Sequence, residues 1–115
     1  MTTAVVRSEP YAGFALSKWA GLANGETGDT PTADIMSGDR VAQITGTFGT
    51  GGTLIIEGSV DGSNWFQLRD PSSTVISFTA AGGKAILETV PFVRPRVTAG
   101  DGTTALTCQI ATRRS

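Results

Sequence analysis

The chain has 115 residues, a formal net charge of −1, 39% hydrophobic residues, no histidine and a single cysteine. One domain of this length buries roughly two-thirds of the surface its unfolded chain exposes, enough to fold without disulfides or metals. The balanced charge argues against nucleic acid as a partner, which needs a clustered basic surface, and a lone Cys108 rules out an internal disulfide. Met1 to Arg7 lacks the basic start and apolar core of a signal peptide. No apolar run approaches the ~20 residues needed to cross a bilayer. A soluble protein made in a cytoplasm, with no membrane partner, is the expectation.

Residues 1–13 carry Ser8-Glu9-Pro10 and Ala12-Gly13 without any period, which reads as an extended N-terminal arm. The remainder, 14–115, reads as a single β-sandwich domain. In Phe14-Ala-Leu-Ser-Lys-Trp19, Phe14 and Leu16 fit one strand face while Trp19 breaks the alternation; one turn of helix is the other option. Residues 20–38 are small or polar and form a long loop, a length that in compact domains usually accompanies function or mobility.

Regular alternation then begins. Arg40 to Phe48 places Ala42, Ile44, Gly46 and Phe48 on one face, and Thr53 to Val60 does the same with Leu54, Ile56, Gly58 and Val60. Gly49-Thr-Gly-Gly52 between them reads as a hairpin loop, and Asp61-Gly62-Ser63 as the turn into Asn64-Trp-Phe-Gln-Leu68. Thr74 to Thr79 and Lys84 to Thr89 are further strand candidates around Ala80-Ala-Gly-Gly83. Phe92 to Thr98 is interrupted by Pro95, which lacks a ladder donor and so implies an edge strand or a bulge. In Thr104 to Thr112, Leu106, Cys108 and Ile110 share a face, making Cys108 a core thiol. The fold class is all-β: an antiparallel β-sandwich, jelly-roll or Ig-like, of about seven to eight strands, seven of them after residue 39. Ile44, Phe48, Leu54, Ile56, Leu106 and Ile110 are the expected core.

Little chemistry sits on this frame. General acid–base work at neutral pH most often uses histidine, and there is none. Asp61, Asp70 and Asp101 are turn residues, and Glu57 and Glu88 fall on outward positions. Thr50-Gly-Gly52 lacks the Lys-Ser/Thr of a phosphate loop. Zinc would need several His or Cys ligands, and Asp61, Ser63 and Asn64 are too few oxygens for calcium. No enzyme activity, metal or cofactor is expected. Arg94, Arg96, Arg113 and Arg114 read as solvated edge and tail charges. Of Trp65 and Phe66, alternation sends one ring inward and the other toward solvent or a partner. Either Trp65 packs in the core while Phe66 covers a sandwich end or an interface, or an exposed ring forms a sugar platform.

The block Leu54-Ile-Ile-Glu-Gly-Ser-Val-Asp-Gly-Ser-Asn-Trp-Phe-Gln-Leu68 resembles a recurrent motif of small structural proteins of tailed-bacteriophage virions. The stretches Val93 to Gly100 and Thr103 to Arg114 resemble them too, so the likeness spans roughly residues 40 to 114. This resemblance implies a non-enzymatic capsid decoration (cement) protein, resident in the virion and made in the host cytoplasm. Its implied partner is the major capsid protein or another virion protein, and it implies a homo-oligomer with a trimer favoured. A tail or fibre-base component, or a carbohydrate-binding or adhesion module, is the alternative. The shared motif is a turn and packing signature, so it transfers no functional residue. Candidate partner-binding side chains are Val5, Val6 and Tyr11 in the arm, together with Trp19 and Phe66.

Overall fold

The computed structural model describes residues 2–3, 6–8, 14–28, 40–87 and 90–113. In chain order the strands are β1 (Thr2–Thr3), β2 (Val6–Ser8), β3 (Phe14–Leu22), β4 (Thr27–Gly28), β5 (Arg40–Thr47), β6 (Thr53–Ser59), β7 (Phe66–Gln67), β8 (Ser77–Phe78), β9 (Gly82–Ile86), β10 (Phe92–Ala99) and β11 (Ala105–Arg113). No helix occurs among the described residues. Two sheets form the sandwich. One has the order β1-β4-β10-β6-β7, with β8 on the same edge of β6 as β7; the other has the order β2-β3-β11-β5-β9. All pairs are antiparallel except β1 with β4.

Alternation builds the core as the sequence implies. Ala42 and Ile44 of β5, Leu54 and Ile56 of β6, Val93 and Val97 of β10, and Leu106, Cys108 and Ile110 of β11 are buried between the sheets. Phe48 only packs against this cluster and stays half-buried, because it lies one residue past the end of β5. Val60, also placed on the inner face by parity, is exposed in the turn after β6. Burial raises the Cys108 thiol far above its ordinary pKa, since a thiolate there would be desolvated.

The connections differ from the hairpin reading. β5 and β6 lie in opposite sheets, so residues 48–52 form an arch between sheets rather than a hairpin. The links from β8 to β9 and from β10 to β11 cross in the same way, whereas β6 and β7 are a true hairpin around Asp61-Gly62. Two of these arches are tied together. Thr50 N–H donates to Asp101 Oδ2 at 2.8 Å, and Thr104 Oγ1 donates to the Phe48 carbonyl at 2.7 Å. Gly49 sits at φ 71° against the Asp101 carboxylate, where a Cβ would collide with it.

Strand β10 is interior, not an edge. Val97 N–H donates to Glu26 O on the β4 side, and alternate residues point their N–H groups to the same side. Pro95 therefore directs its missing donor toward the short β4, whose only register partner on β10 is Arg96, while the β6 side keeps its ladder. A register shift between Val97 and Ala99 adds a bulge.

The N-terminal third is more regular than its composition suggests. β3 continues through Ala20 to Leu22, and Thr27–Gly28 is a strand, so the long loop expected from residue 20 does not start there; residues 29–39 lie outside the described ones. Two pieces of the expected arm are strands: β1 extends one sheet beside β4 and β2 extends the other beside β3.

Trp19 is not on the surface. Ala15, Ser17 and Trp19 point inward from β3, opposite to the expected parity, and Trp19 is 0% exposed. A bulge opposite Thr107, with Gly21 at φ 73°, then restores Leu22 to the inner face. Trp19 reaches across the sandwich to the other sheet. A Cβ placed on Gly28 would lie 2.6 Å from the indole Cδ1 and 2.8 Å from Pro95 Cδ. Glycine at 28 is what lets the indole close the gap between β3 and β4.

Candidate docking face

The outer face of the β10-β6-β7 sheet gathers the chain's most distinctive chemistry. Because Leu54, Ile56 and Gly58 point inward from β6, Ile55, Glu57 and Ser59 point outward. From β10, Phe92, Arg94 and Arg96 point outward by the same rule. Register places Arg94 directly opposite Glu57, and Arg96 opposite Ile55. Arg94 Nε donates to Glu57 Oε1 at 3.1 Å and Arg96 Nη1 donates to Oε2 at 3.3 Å, so one carboxylate is held between two guanidinium groups.

The hairpin supplies the fourth member. Asp61 organises its turn: Oδ1 accepts from Ser63 N–H, Asn64 N–H and Ser59 Oγ, and Oδ2 accepts from Asn64 Nδ2. Gly62, at φ 81°, packs on the Phe92 ring. The returning strand pairs Gln67 with Glu57, so Trp65, in phase with Gln67, also faces outward. Its ring lies 3.8 Å from the Arg94 guanidinium carbon. Indole, guanidinium and carboxylate thus form a stack, with a cation–π contact worth about 0.5–2 kcal/mol depending on desolvation. Glu57 is only 7% exposed although it sits on an outer face, because these neighbours cover it. The cluster carries two positive charges and one negative. Arg96 keeps a side chain 51% exposed.

The proposed partner-binding residues do not converge here. Trp19 is core. Val6 belongs to β2, opposite Lys18, and Val5 and Tyr11 lie outside the described residues. Phe66 is 43% exposed, but it pairs with Gly58 and so points to the inner side of the sheet at the sandwich rim, away from Trp65. Neither ring of the Trp65-Phe66 pair is buried; the residue next in phase with Phe66, Leu68, fills that core position. Arg94, Arg96 and Glu57 were individually visible as strand residues. Their meeting depends on which strands pair, and residue parity does not carry that information.

Asp101 and Asp70 are structural, and Glu88 lies outside the described residues. Asp101 Oδ1 accepts from Thr103 N–H, and Asp70 Oδ1 accepts from Ser72 and Thr74 N–H. Among the described residues no group of three or more His, Cys, Asp or Glu side chains could hold a metal ion. These hydrogen bonds, from Asn64 foremost at Asp61 and from Thr103 foremost at Asp101, hold both carboxyls well below the usual range. Their stabilising effect is therefore complete above the unfolded value of about 3.9 and is lost as pH falls toward the lower folded values. Thermal melts should show stability dropping below about pH 4. The double variant Asp61→Asn, Asp101→Asn should show a shallower decline, and an unchanged slope would contradict this account.

The chain matches none of the protein-family models, curated proteins or solved structures with which it was compared.

Proposed function

We propose that this chain is a non-enzymatic structural protein of a virion, a decoration or cement protein that binds the major capsid shell through the face around Trp65. One observation carries the docking role: Arg94 is fixed between the Trp65 indole and the Glu57 carboxylate, while Arg96 beside it remains half exposed. Trp and Arg, held rigid and partly desolvated, are the residues that dominate protein–protein binding energy. The excess positive charge of the cluster suits an acidic surface on the partner. The virion assignment is supported by the phage-like block Leu54 to Leu68, which supplies Glu57, Trp65 and the turn between them. Repetition by symmetry multiplies modest contacts of this kind into firm attachment, which is what a cement protein requires. The resemblance also implies a homo-oligomer, and this proposal fixes no number of copies.

The test is co-sedimentation with capsids of the source virus. Trp65→Ala and Arg96→Gln should each weaken binding by about 2 kcal/mol, roughly thirtyfold, with only a small change in melting temperature. Capsids that bind both variants like the native chain, or purified virions that lack the protein, would overturn the proposal. Recovery with tails rather than heads would move it to the tail or fibre base. A second reading rests on the same indole: facing outward in phase with Gln67, Trp65 would serve as a sugar-stacking platform. A specific glycan-array signal erased by Trp65→Ala would favour that reading.

A further inference from the structure

The opposite face of the sandwich has a different character. Cross-strand register sets its outward residues in rows: Leu16, Ala111, Val41 and Ala85 in one, and Lys18, Gln109, Gln43 and Gly83 in the next, followed by Thr107 with Thr45 and Ala105 with Thr47. Val41 is 50% exposed, and Leu87, in phase with Ala85 just beyond β9, is 44% exposed. Among the described side chains of this face only Lys18 is charged. The outer face of the other sheet instead concentrates Glu57, Arg94 and Arg96. An outer face on a sheet is ordinarily the wet, charged one.

We infer that this face binds a second copy of the same chain, the two β3-β11-β5 sheets stacking across a two-fold axis. A two-fold axis brings each central side chain against its own duplicate, so a charge there would meet a like charge. The outward residues of the two strands at its middle, Ala105, Thr107, Gln109 and Ala111 of β11 and Val41, Gln43, Thr45 and Thr47 of β5, carry none. Its polar groups are of one kind: the amides of Gln43 and Gln109 and the hydroxyls of Thr45 and Thr107 each both donate and accept, so each is able to satisfy a copy of itself. Ala85, Ala111, Ala105 and Gly83 are small enough to let two sheets approach to the usual ~10 Å stacking distance. Val41 and Leu16 supply the apolar contact. The inference does not depend on the shell-binding reading, because it uses the other side of the sandwich. A three-fold assembly would press this face against a different surface, so the arrangement is decided by mass and by symmetry.

Sedimentation equilibrium on the full chain tests it. The native protein should be dimeric. Val41→Lys and Gln109→Lys, which place charges on solvent-facing positions, should each weaken association at least about tenfold, equivalent to 1.4 kcal/mol, while keeping the native far-UV CD spectrum. Gln109 lies on the middle strand, so mixing Gln109→Lys with Gln109→Glu chains should restore dimers. Val60→Lys, which adds a charge to the exposed turn after β6 of the other sheet, should leave association intact. A native chain that stays monomeric at all concentrations, a trimer, a dimer indifferent to both lysines, or a charge-swapped mixture without rescue would each overturn the two-fold stacking.

Discussion

Trp19→Ala is expected to destabilise the protein by about 3–5 kcal/mol, the range for truncating a fully buried large aromatic. The indole is 0% exposed and is the side chain of β3 that reaches Gly28 and Pro95 of the other sheet. Its loss would leave a cavity between the sheets that neither glycine nor a rigid proline ring is able to fill. Urea unfolding should show the midpoint falling sharply, whereas Trp65→Ala, on a half-exposed stack, should cost about 1 kcal/mol or less of stability. Equal losses for the two tryptophans would refute the assignment of one to the core and the other to the surface.

Gly46→Ala should be the next most damaging change, with a cost of at least about 2 kcal/mol from combined backbone strain and overpacking. Gly46 lies in β5 opposite Leu106 with φ at 111°, a conformation side chains rarely adopt. A Cβ there would collide with the Ala105 carbonyl, which is backbone in the neighbouring strand and has nowhere to retreat. Alanine at Gly82, where nothing crowds a Cβ and φ is not positive, is the matched control. Unfolding free energies of the two variants that agree within error would show that the conformation at 46 is unimportant.

Much of the fold was legible because period-two alternation is a local signal. It marked the strands after residue 39 and the inward positions Ile44, Leu54, Ile56, Leu106, Cys108 and Ile110. Sheet membership is not local. Gly49 to Gly52 reads the same whether the next strand pairs with the last or crosses to the other sheet, and here it crosses. Trp19 was misplaced for a related reason. The inner face of β3 begins with Ala15 and Ser17, so hydrophobicity alone selects Phe14 and Leu16 as the buried side. Small residues precede the tryptophan on that face, and neither they nor the distant Gly28 advertise what they accommodate. Alternation leaves open which of Trp65 and Phe66 turns inward, and the core reading of Trp65 fails because its outward course follows from the pairing of Gln67 with Glu57, a register set by the hairpin.

The order of strands within the sheets has a bearing on synthesis. β10 and β11 are near-final in sequence, yet each lies inside a sheet: β10 between β4 and β6, β11 between β3 and β5. Four earlier strands, β3, β4, β5 and β6, therefore wait for a partner that has not yet been made. A nascent chain stopped before residue 92 has neither β3 joined to β5 nor β4 joined to β6, and its apolar strand faces remain open. Folding on this plan is a late and nearly simultaneous closure, with contacts of long sequence separation and the slow kinetics these impose. Until that closure, protection of the unfinished strands falls to whatever holds the emerging chain.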